Sequence, residues 1–370
     1  MNFFGAEISL SMVLHGLLWF VGWLVFCRVR KLPVARPGVE GRRLSVIIPA
    51  RDEEENIVPL LDSLRKGTIL PGEVIVADDH SSDRTADRAR SGGARVVACR
   101  EAPAGWQGKT WACAEGARDA QGEFLLFLDA DTRLEKEGLA KLLSRGESAD
   151  GALSLPPYHD VQKPYESLSA FFNLVQMISS GAFTIFPSVS MKRLFGPCLL
   201  IRRSDYDRVG GHSAVKDKIL EHFFLSEILL REGVPLGIAS GEGVLRYRMY
   251  PNGWGDLVKG WSKAFAGGAA GTSWLLPAVI AWFTGALGTA RHLLSVGVVG
   301  PSSLMPVLVV FYGLYVVQIH WMLRRAGRFG FFTALFYPVG MAFFVGIIVY
   351  STALKVFGRQ VSWKGRKTSS

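Results

Sequence analysis

Residues 124–131 read Phe-Leu-Leu-Phe-Leu-Asp-Ala-Asp, an apolar run that stops at two carboxylates one residue apart. An apolar run of this length, entered from Gly122, predicts a strand buried on both faces. Asp129 and Asp131 then stand at its carboxyl end, where open α/β sheets place their ligand crevice. Side chains at i and i+2 of an extended segment point the same way. Two hard oxygen ligands so placed suit Mg2+ or Mn2+ carrying a phosphorylated substrate, which supplies the rest of the coordination shell. The plainer alternative is an Asp pair that only caps the following turn.

Two further strands are predicted to end in carboxylates at the same edge. One closes as Ile48-Pro49-Ala50-Arg51-Asp52-Glu53, the other as Val76-Ala77-Asp78-Asp79-His80-Ser81-Ser82-Asp83. Asp52, Ser82 and Asp83 are ordinary helix-start residues. Capping does not account for the doubled Asp78-Asp79, and a carboxylate there can accept hydrogen bonds from a nucleobase edge or a ribose hydroxyl.

The elements that must position these groups alternate. Leu44–Ile48, Glu73–Ala77, Arg95–Cys99 and Phe124–Leu128 are β-rich runs. Between them lie helical patterns such as Glu53–Arg65, with Ile57, Leu60, Leu61 and Leu64 on one face. The alternation predicts an α/β domain over 40–240 with a mostly parallel sheet and helices on both sides.

The flanks are of another kind. The chain has 370 residues, 49% of them hydrophobic, and a net charge of +10. Its basic residues crowd beside apolar segments, which fits the anionic surface of a membrane better than a nucleic acid polymer. Cys27, Cys99, Cys113 and Cys198 show no metal or redox spacing. Ile8–Cys27 is long enough to span a bilayer once, and Arg28, Arg30 and Lys31 follow it in place of a cleavage site. Residues 1–30 therefore read as an anchor that leaves residue 28 onward in the cytoplasm.

Over 241–271, Trp254–Phe265 reads as an interfacial amphipathic helix with Trp254, Leu257, Val258 and Trp261 on one face. Ser167–Ser188 reads either as the wall of a lipophilic groove or as a buried helix. Within 272–355, Leu304–Leu323 and Phe331–Ala353 are expected spans, while Trp274–Ala290 is short and holds Pro277, Gly285 and Gly288. Three spans would put the tail, 356–370, outside, yet it carries Lys355, Arg359, Lys364, Arg366 and Lys367 beside it or within it. A re-entrant segment between 274 and 300 would restore the parity, so the expectation is a multi-pass cell-membrane protein with one amino-terminal and two to three carboxy-terminal transmembrane helices.

Pro49-Ala50-Arg51-Asp52-Glu53, Asp78-Asp79-x-Ser-x-Asp and Asp129-Ala130-Asp131, in that order and at these separations, resemble a family 2 glycosyltransferase of the GT-A, Rossmann-like fold. The resemblance implies an inverting transferase using a nucleoside-diphosphate sugar, usually UDP-linked. It places Pro49, Arg51, Glu53, Asp78 and Asp79 around the nucleotide-sugar and gives the metal to Asp131 with help from Asp129.

It narrows further. Gly105-Trp106-Gln107-Gly108-Lys109, Phe195-Gly196-Pro197, Arg248-Met249-Tyr250 and Trp363-Lys364-Gly365-Arg366 are similar to the carotenoid branch, the 4,4'-diaponeurosporenoate glycosyltransferases. Lys109, Gly196 and Arg248 would then face the donor, and the acceptor would be a lipophilic carotenoid acid. Another lipid acceptor, a hopanoid or polyprenyl phosphate, stays open, as does an inactive transferase-like membrane scaffold. Ile219-Leu220-Glu221-His222 departs from the family's usual Glu-Asp, whose Asp serves as general base. Either Glu221 or His222 takes over that role, or an already ionised carboxylate acceptor needs no base, or the pair merely opens a helix.

Overall fold

The computed structural model describes residues 3–186, 193–218, 220–266, 275–299, 305–356, 362–363 and 366–367. Most of the expected tail, including Lys364 and Gly365, and residues 267–274 lie outside the described residues. The chain divides into two units: Arg30–Asp160 with Lys192–Met249, and Met1–Val29 with Val161–Met191 and Tyr250–Ser370. The expected 40–240 domain is thus interrupted, because Val161–Met191 groups with the apolar helices.

The first unit is built on β1 (Leu44–Ala50), β2 (Glu73–Asp78), β3 (Arg95–Ala98), β4 (Phe124–Leu128), β5 (Thr132–Leu134), β6 (Ala152–Ser154), β7 (Tyr158–His159), β8 (Cys198–Arg202), β9 (Leu236–Ile238) and β10 (Leu245–Tyr247). Seven of these form one sheet in the order β3-β2-β1-β4-β8-β6-β9. β1, β2, β3 and β4 run parallel, and β8 is antiparallel to β4 and β6. A smaller sheet has the order β5-β10-β7.

Every residue of β4 is buried, as its unbroken apolar run requires. On one face of the sheet Val46, Ile48 and Leu126 pack with Ile57, Leu60 and Leu64 of helix Glu54–Arg65. On the other, Ile47, Ile75 and Leu125 pack with Cys113 and Ala117 of helix Gly108–Asp119 and Leu225 of helix Glu221–Arg231. Each such aliphatic side chain contributes about 1.5–3 kcal/mol when fully buried. Helix Gly108–Asp119 comes so close that a Cβ on Gly116 would lie 2.6 Å from Ile47 Cγ2. This packing fixes Lys109, in the helix's first turn, against the carboxyl end of β4.

The second unit is helical. Two helices, Met305–Ala326 and Tyr337–Leu354, are long and apolar enough to cross a membrane, and Met12–Val25 is a shorter apolar helix. Phe3–Val25 and Met305–Ala326 run in the same sense: Trp19 Nε1 donates to Leu314 O and Trp23 meets Trp321 edge-on at 5.0 Å. Leu275–Val299 runs against them, with Trp282 Nε1 donating to Gln318 Oε1 at 2.9 Å. It is one continuous helix despite Pro277, which sits in its first turn where a missing N–H costs nothing.

The expected span Phe331–Ala353 is broken. A short helix, Phe331–Leu335, lies against Met305–Ala326, with Phe331 beside His320 and Leu335 O accepting from Tyr312 Oη. The chain reverses at Phe336, and Tyr337–Val356 starts level with Tyr312 and Ala286 and ends beside Ser262. The ends at Val25, Leu275, Ala326 and Val356 therefore lie on one side of the unit. The chain reversal lies at Phe336, while Leu275–Val299 runs unbroken.

Two other expectations are settled here. Trp261 is not an interfacial anchor: it is 1% exposed, stacks on Phe172 at 4.4 Å and donates to Ser169 Oγ, whereas Trp254 is exposed. Ala170–Ser179 is a buried helix, with Phe171, Phe172, Leu174 and Met177 inside the unit; residues 187 and 188 lie outside the described residues.

Candidate active site

β1, β2 and β4 end together, and their following loops are laced to one another. Asp79 N donates to Ala50 O at 2.8 Å, and Asp52 Oδ1 accepts from Ser82 N at 2.7 Å. Asp52 and His80 adopt positive φ, 52° and 58°, which short polar side chains tolerate best. Asp83 ties the next turn by accepting from Glu54 N and Thr85 N, so Asp52, Ser82 and Asp83 lace the loops together, while the N-cap positions of the two helices fall to Glu53 and Arg84. Asp78 accepts from Ser81 Oγ.

Asp79 is different. It is 4% exposed at the carboxyl edge, with Arg51 Nη1 3.5 Å from Oδ2 and His80 Nδ1 3.3 Å from Oδ1. Glu53 accepts from Asn56 Nδ2 at 2.8 Å.

Beside this edge, Asp129 faces a cation. Lys109 Nζ lies 2.6 Å from Asp129 Oδ1 and 3.4 Å from Glu221 Oε1, at the start of helix Glu221–Arg231. His222 Nδ1 is 3.7 Å from Glu221 Oε1, too far for a hydrogen bond. Gly196 closes the cluster; a Cβ there would lie 2.9 Å from His222 Nδ1. Pro49, Lys109, Asp129, Gly196, Glu221 and His222 line one pocket.

The electrostatics separate these groups. Burial would lower the Lys109 ammonium, but Asp129 and Glu221 outweigh it and hold its pKa above the usual lysine range. Burial would raise Glu221, yet Lys109 and then His222 hold it well below the usual carboxylate range. Asp129 is raised by burial, which Lys109 offsets only in part. Asp131 is pushed up to about 7 by burial, then by Asp129 and Glu53. His212, deeper in the same pocket, is lowered by burial to about 4 and bonds Tyr206 Oη at 2.9 Å, so it is a neutral packing residue.

Asp129, Asp131 and Glu53 thus form a concentration of negative charge that a divalent cation relieves. Among the described residues no three His, Cys, Asp or Glu side chains converge as a metal cage. Two aspartates with a diphosphate completing the shell is the arrangement that Mg2+ and Mn2+ accept.

Arg248 follows β10, and next to it lies a residue the sequence reading passed over. Arg133 is on β5, its Nη1 donating to Asp131 O at 3.1 Å. Burial lowers its pKa, Asp131 and Asp160 oppose this, and Arg246 and Arg248 lower it further. Its signal in the sequence was the alternation Asp131-Thr132-Arg133, matched by Arg246-Tyr247-Arg248.

The profile of glycosyl transferase family 2 matches residues 45–210. The 4,4'-diaponeurosporenoate glycosyltransferase of Staphylococcus aureus (strain MRSA252) is 32% identical over 354 residues, covering 94% of each chain. That of strain USA300 matches to the same extent. Among solved structures, the mannosyltransferase PcManGT from Pyrobaculum calidifontis, in complex with GDP-Man and Mn2+, superposes with a TM-score of 0.51 at 17% identity, covering 94% of this chain and 98% of that one. The last likeness shows the GT-A fold; the identity across nearly the whole length of the curated relatives shows more, and the chain belongs to glycosyltransferase family 2.

Proposed function

We propose that this glycosyltransferase is membrane-bound and moves a sugar, glucose in the first instance, from a UDP-sugar to the carboxyl group of a carotenoid acid such as 4,4'-diaponeurosporenoate, with inversion. What carries the reading is the state of Glu221. Its carboxylate is committed to Lys109 and held ionised with little basicity, and the neighbouring position, where an Asp base is usual, is His222. A carboxylic acid acceptor has an ordinary pKa near 4 and arrives ionised. Its oxygen can displace the diphosphate with no proton to remove, and an acid acceptor is what the relatives' name states of them.

The chain's own residues then divide the work. Asp79, with Arg51 against it, sits where a uracil or ribose group would dock, and Pro49 and Glu53 border it. Asp129 and Asp131 would hold Mg2+ or Mn2+, whose charge offsets that developing on the departing diphosphate. Lys109 keeps Asp129 and Glu221 in register, and Gly196 lets the backbone close against His222 and Lys109. Arg248 is a further candidate for the diphosphate. The apolar helices and basic flanks support a cell-membrane, multi-pass placement with the catalytic unit cytoplasmic, where a lipid acceptor is reached from the bilayer.

The test is turnover of UDP-glucose and the carotenoid acid by detergent-solubilised protein, with and without EDTA. The expected product is an ester whose sugar is released by mild alkali, formed only with divalent metal. His222→Ala should cost less than about tenfold. Transfer only to hydroxyl lipids, or a His222→Ala loss as large as that of Asp131→Ala, would overturn the base-free reading.

A further inference from the structure

The small sheet β5-β10-β7 sorts its side chains cleanly. Thr132, Leu134, Leu245, Tyr247 and His159 are buried on one face. The other face carries the residues between and beside them: Asp131, Arg133, Arg246 and Arg248. The antiparallel register sets Arg246 directly opposite Arg133. Like charges directly opposed in a ladder destabilise it, so the fold alone gives no reason for this pairing.

Arg246 has an acidic neighbour, Glu135, at 3.4 Å. Arg133 has no such contact: Asp131 and Asp160 act on it only at longer range, among the described residues it forms no ion pair, and its only hydrogen bond is to the Asp131 carbonyl. A half-buried guanidinium, pressed by Arg246 and Arg248, feels the charges of Asp131 and Asp160 but is in ion-pair contact with neither, and it lies on the face that also bears Asp131.

We infer that Arg133 is the anion-binding residue that receives the carboxylate of the acceptor. The inference rests on the acid-acceptor reading above. A base-free site has no need to deprotonate its acceptor, but it does need a cation to draw a carboxylate toward Asp131 and orient it. The planar guanidinium fork matches a carboxylate's two oxygens, which a lysine does not. In the reading above the donor diphosphate is met by the cation on Asp129 and Asp131 and by Arg248, which leaves Arg133 for the acceptor. Arg133 lies two residues beyond Asp131 on β5.

The experiment compares wild type with Arg133→Gln and Arg133→Lys in detergent. The readouts are KM for the carotenoid acid, UDP binding with Mn2+, and slow hydrolysis of UDP-glucose without acceptor. A long-chain alkyl carboxylate and the matching alcohol serve as inhibitors. Arg133→Gln should raise KM for the acid about 10–100-fold, Arg133→Lys by less, with UDP binding and donor hydrolysis within about twofold of wild type. Wild type should be inhibited by the carboxylate over the alcohol, and Arg133→Gln should lose that preference.

An unchanged KM with the preference intact overturns the inference. So does an equal loss of UDP binding, which would assign Arg133 to the diphosphate. If Arg133→Gln is misfolded by circular dichroism, the KM of Arg133→Lys decides by the same criterion. Failure of the acid-acceptor reading looks different, because wild type itself would then turn over no carboxylate acceptor.

Discussion

Replacing Lys109 with methionine removes the cation that Asp129 and Glu221 share while keeping most of the side chain's length. Lys109 Nζ is 2.6 Å from one carboxylate and 3.4 Å from the other. Breaking a buried pair costs about 3–5 kcal/mol. Lys109, however, is 37% exposed along its side chain, and Asp129 26%, so solvent screening brings the expected loss to about 1–2 kcal/mol. For a domain of this size that is a fall of about 2–8 °C in melting temperature, measured in detergent by intrinsic tryptophan fluorescence. The pH dependence follows from the directions of the shifts. Glu221 is depressed in the folded protein, so its contribution is complete above the ordinary carboxylate range and is lost as pH falls. Lys109 is raised, so its contribution is complete below the ordinary lysine range and is lost only as pH rises beyond it. The gap between wild type and Lys109→Met should be flat from about pH 6 to 9 and close below about pH 4–5. Equal melting temperatures at pH 7, or a gap that widens on acidification, would refute the reasoning.

Other expectations concern the same edge and the helical unit. Asp131→Asn should reduce metal-dependent transfer by about 10²–10³-fold, while melting without metal stays level or rises, because a carboxyl crowded by Asp129 and Glu53 is gone. With Asp131 raised to about 7, a proton competes with the cation, so apparent Mn2+ affinity should be flat above that pH and fall as pH drops below it, which calorimetric titration reads directly. Gly196→Ala places a Cβ 2.9 Å from His222 Nδ1 and 3.4 Å from Lys109 Nζ, an overpacking worth about 1–3 kcal/mol; transfer should fall about tenfold while UDP binding stays near wild type. Trp261→Ala empties a fully packed site and should cost about 3–5 kcal/mol, seen as early unfolding on a detergent melt.

How far the sequence carried depends on whether a feature is local. The four parallel strands and helix Glu54–Arg65 were legible because an apolar run and a 3.6-residue period are written in consecutive residues. The ends of β1, β2 and β4 were legible as a site because their carboxylates interrupt those runs. Lys109 was visible as a lysine in a glycine loop, but nothing local says that it faces both Asp129 and Glu221, residues brought to it from a strand end and from the helix Glu221–Arg231. Arg133 was missed for the same reason: its meaning lies in the register that sets it against Arg246, residues far apart in the chain. Trp261 read as an anchor because an amphipathic pattern states which side chains share a face and not what covers them.

In the carboxy-terminal helices the chain reverses at a place other than the one the charge pattern pointed to. Basic residues at 324–328 and in the tail ask to be on the same side, and a simple span over Phe331–Ala353 forbids it. Pro277, Gly285 and Gly288 make Leu275–Val299 the natural place for a break, yet a proline in the first turn is harmless. The two glycines are also tolerated: at Gly285 a Cβ would strike Tyr315 Oη at 2.4 Å and Leu18 Cβ at 2.5 Å, so glycine there permits close helix packing. The break falls at Phe336, before Pro338, where the preceding residues cannot easily continue a helix. From there Tyr337–Val356 returns toward the side on which Ala326 ends, held by Tyr337 Oη donating to Ala286 O and Ser351 Oγ donating to Ser262 O. Ala326 and Val356 thus end on the same side of the helical unit. Gly285, which looks like a helix breaker, is what lets Leu275–Val299 approach Leu18 and Tyr315 closely.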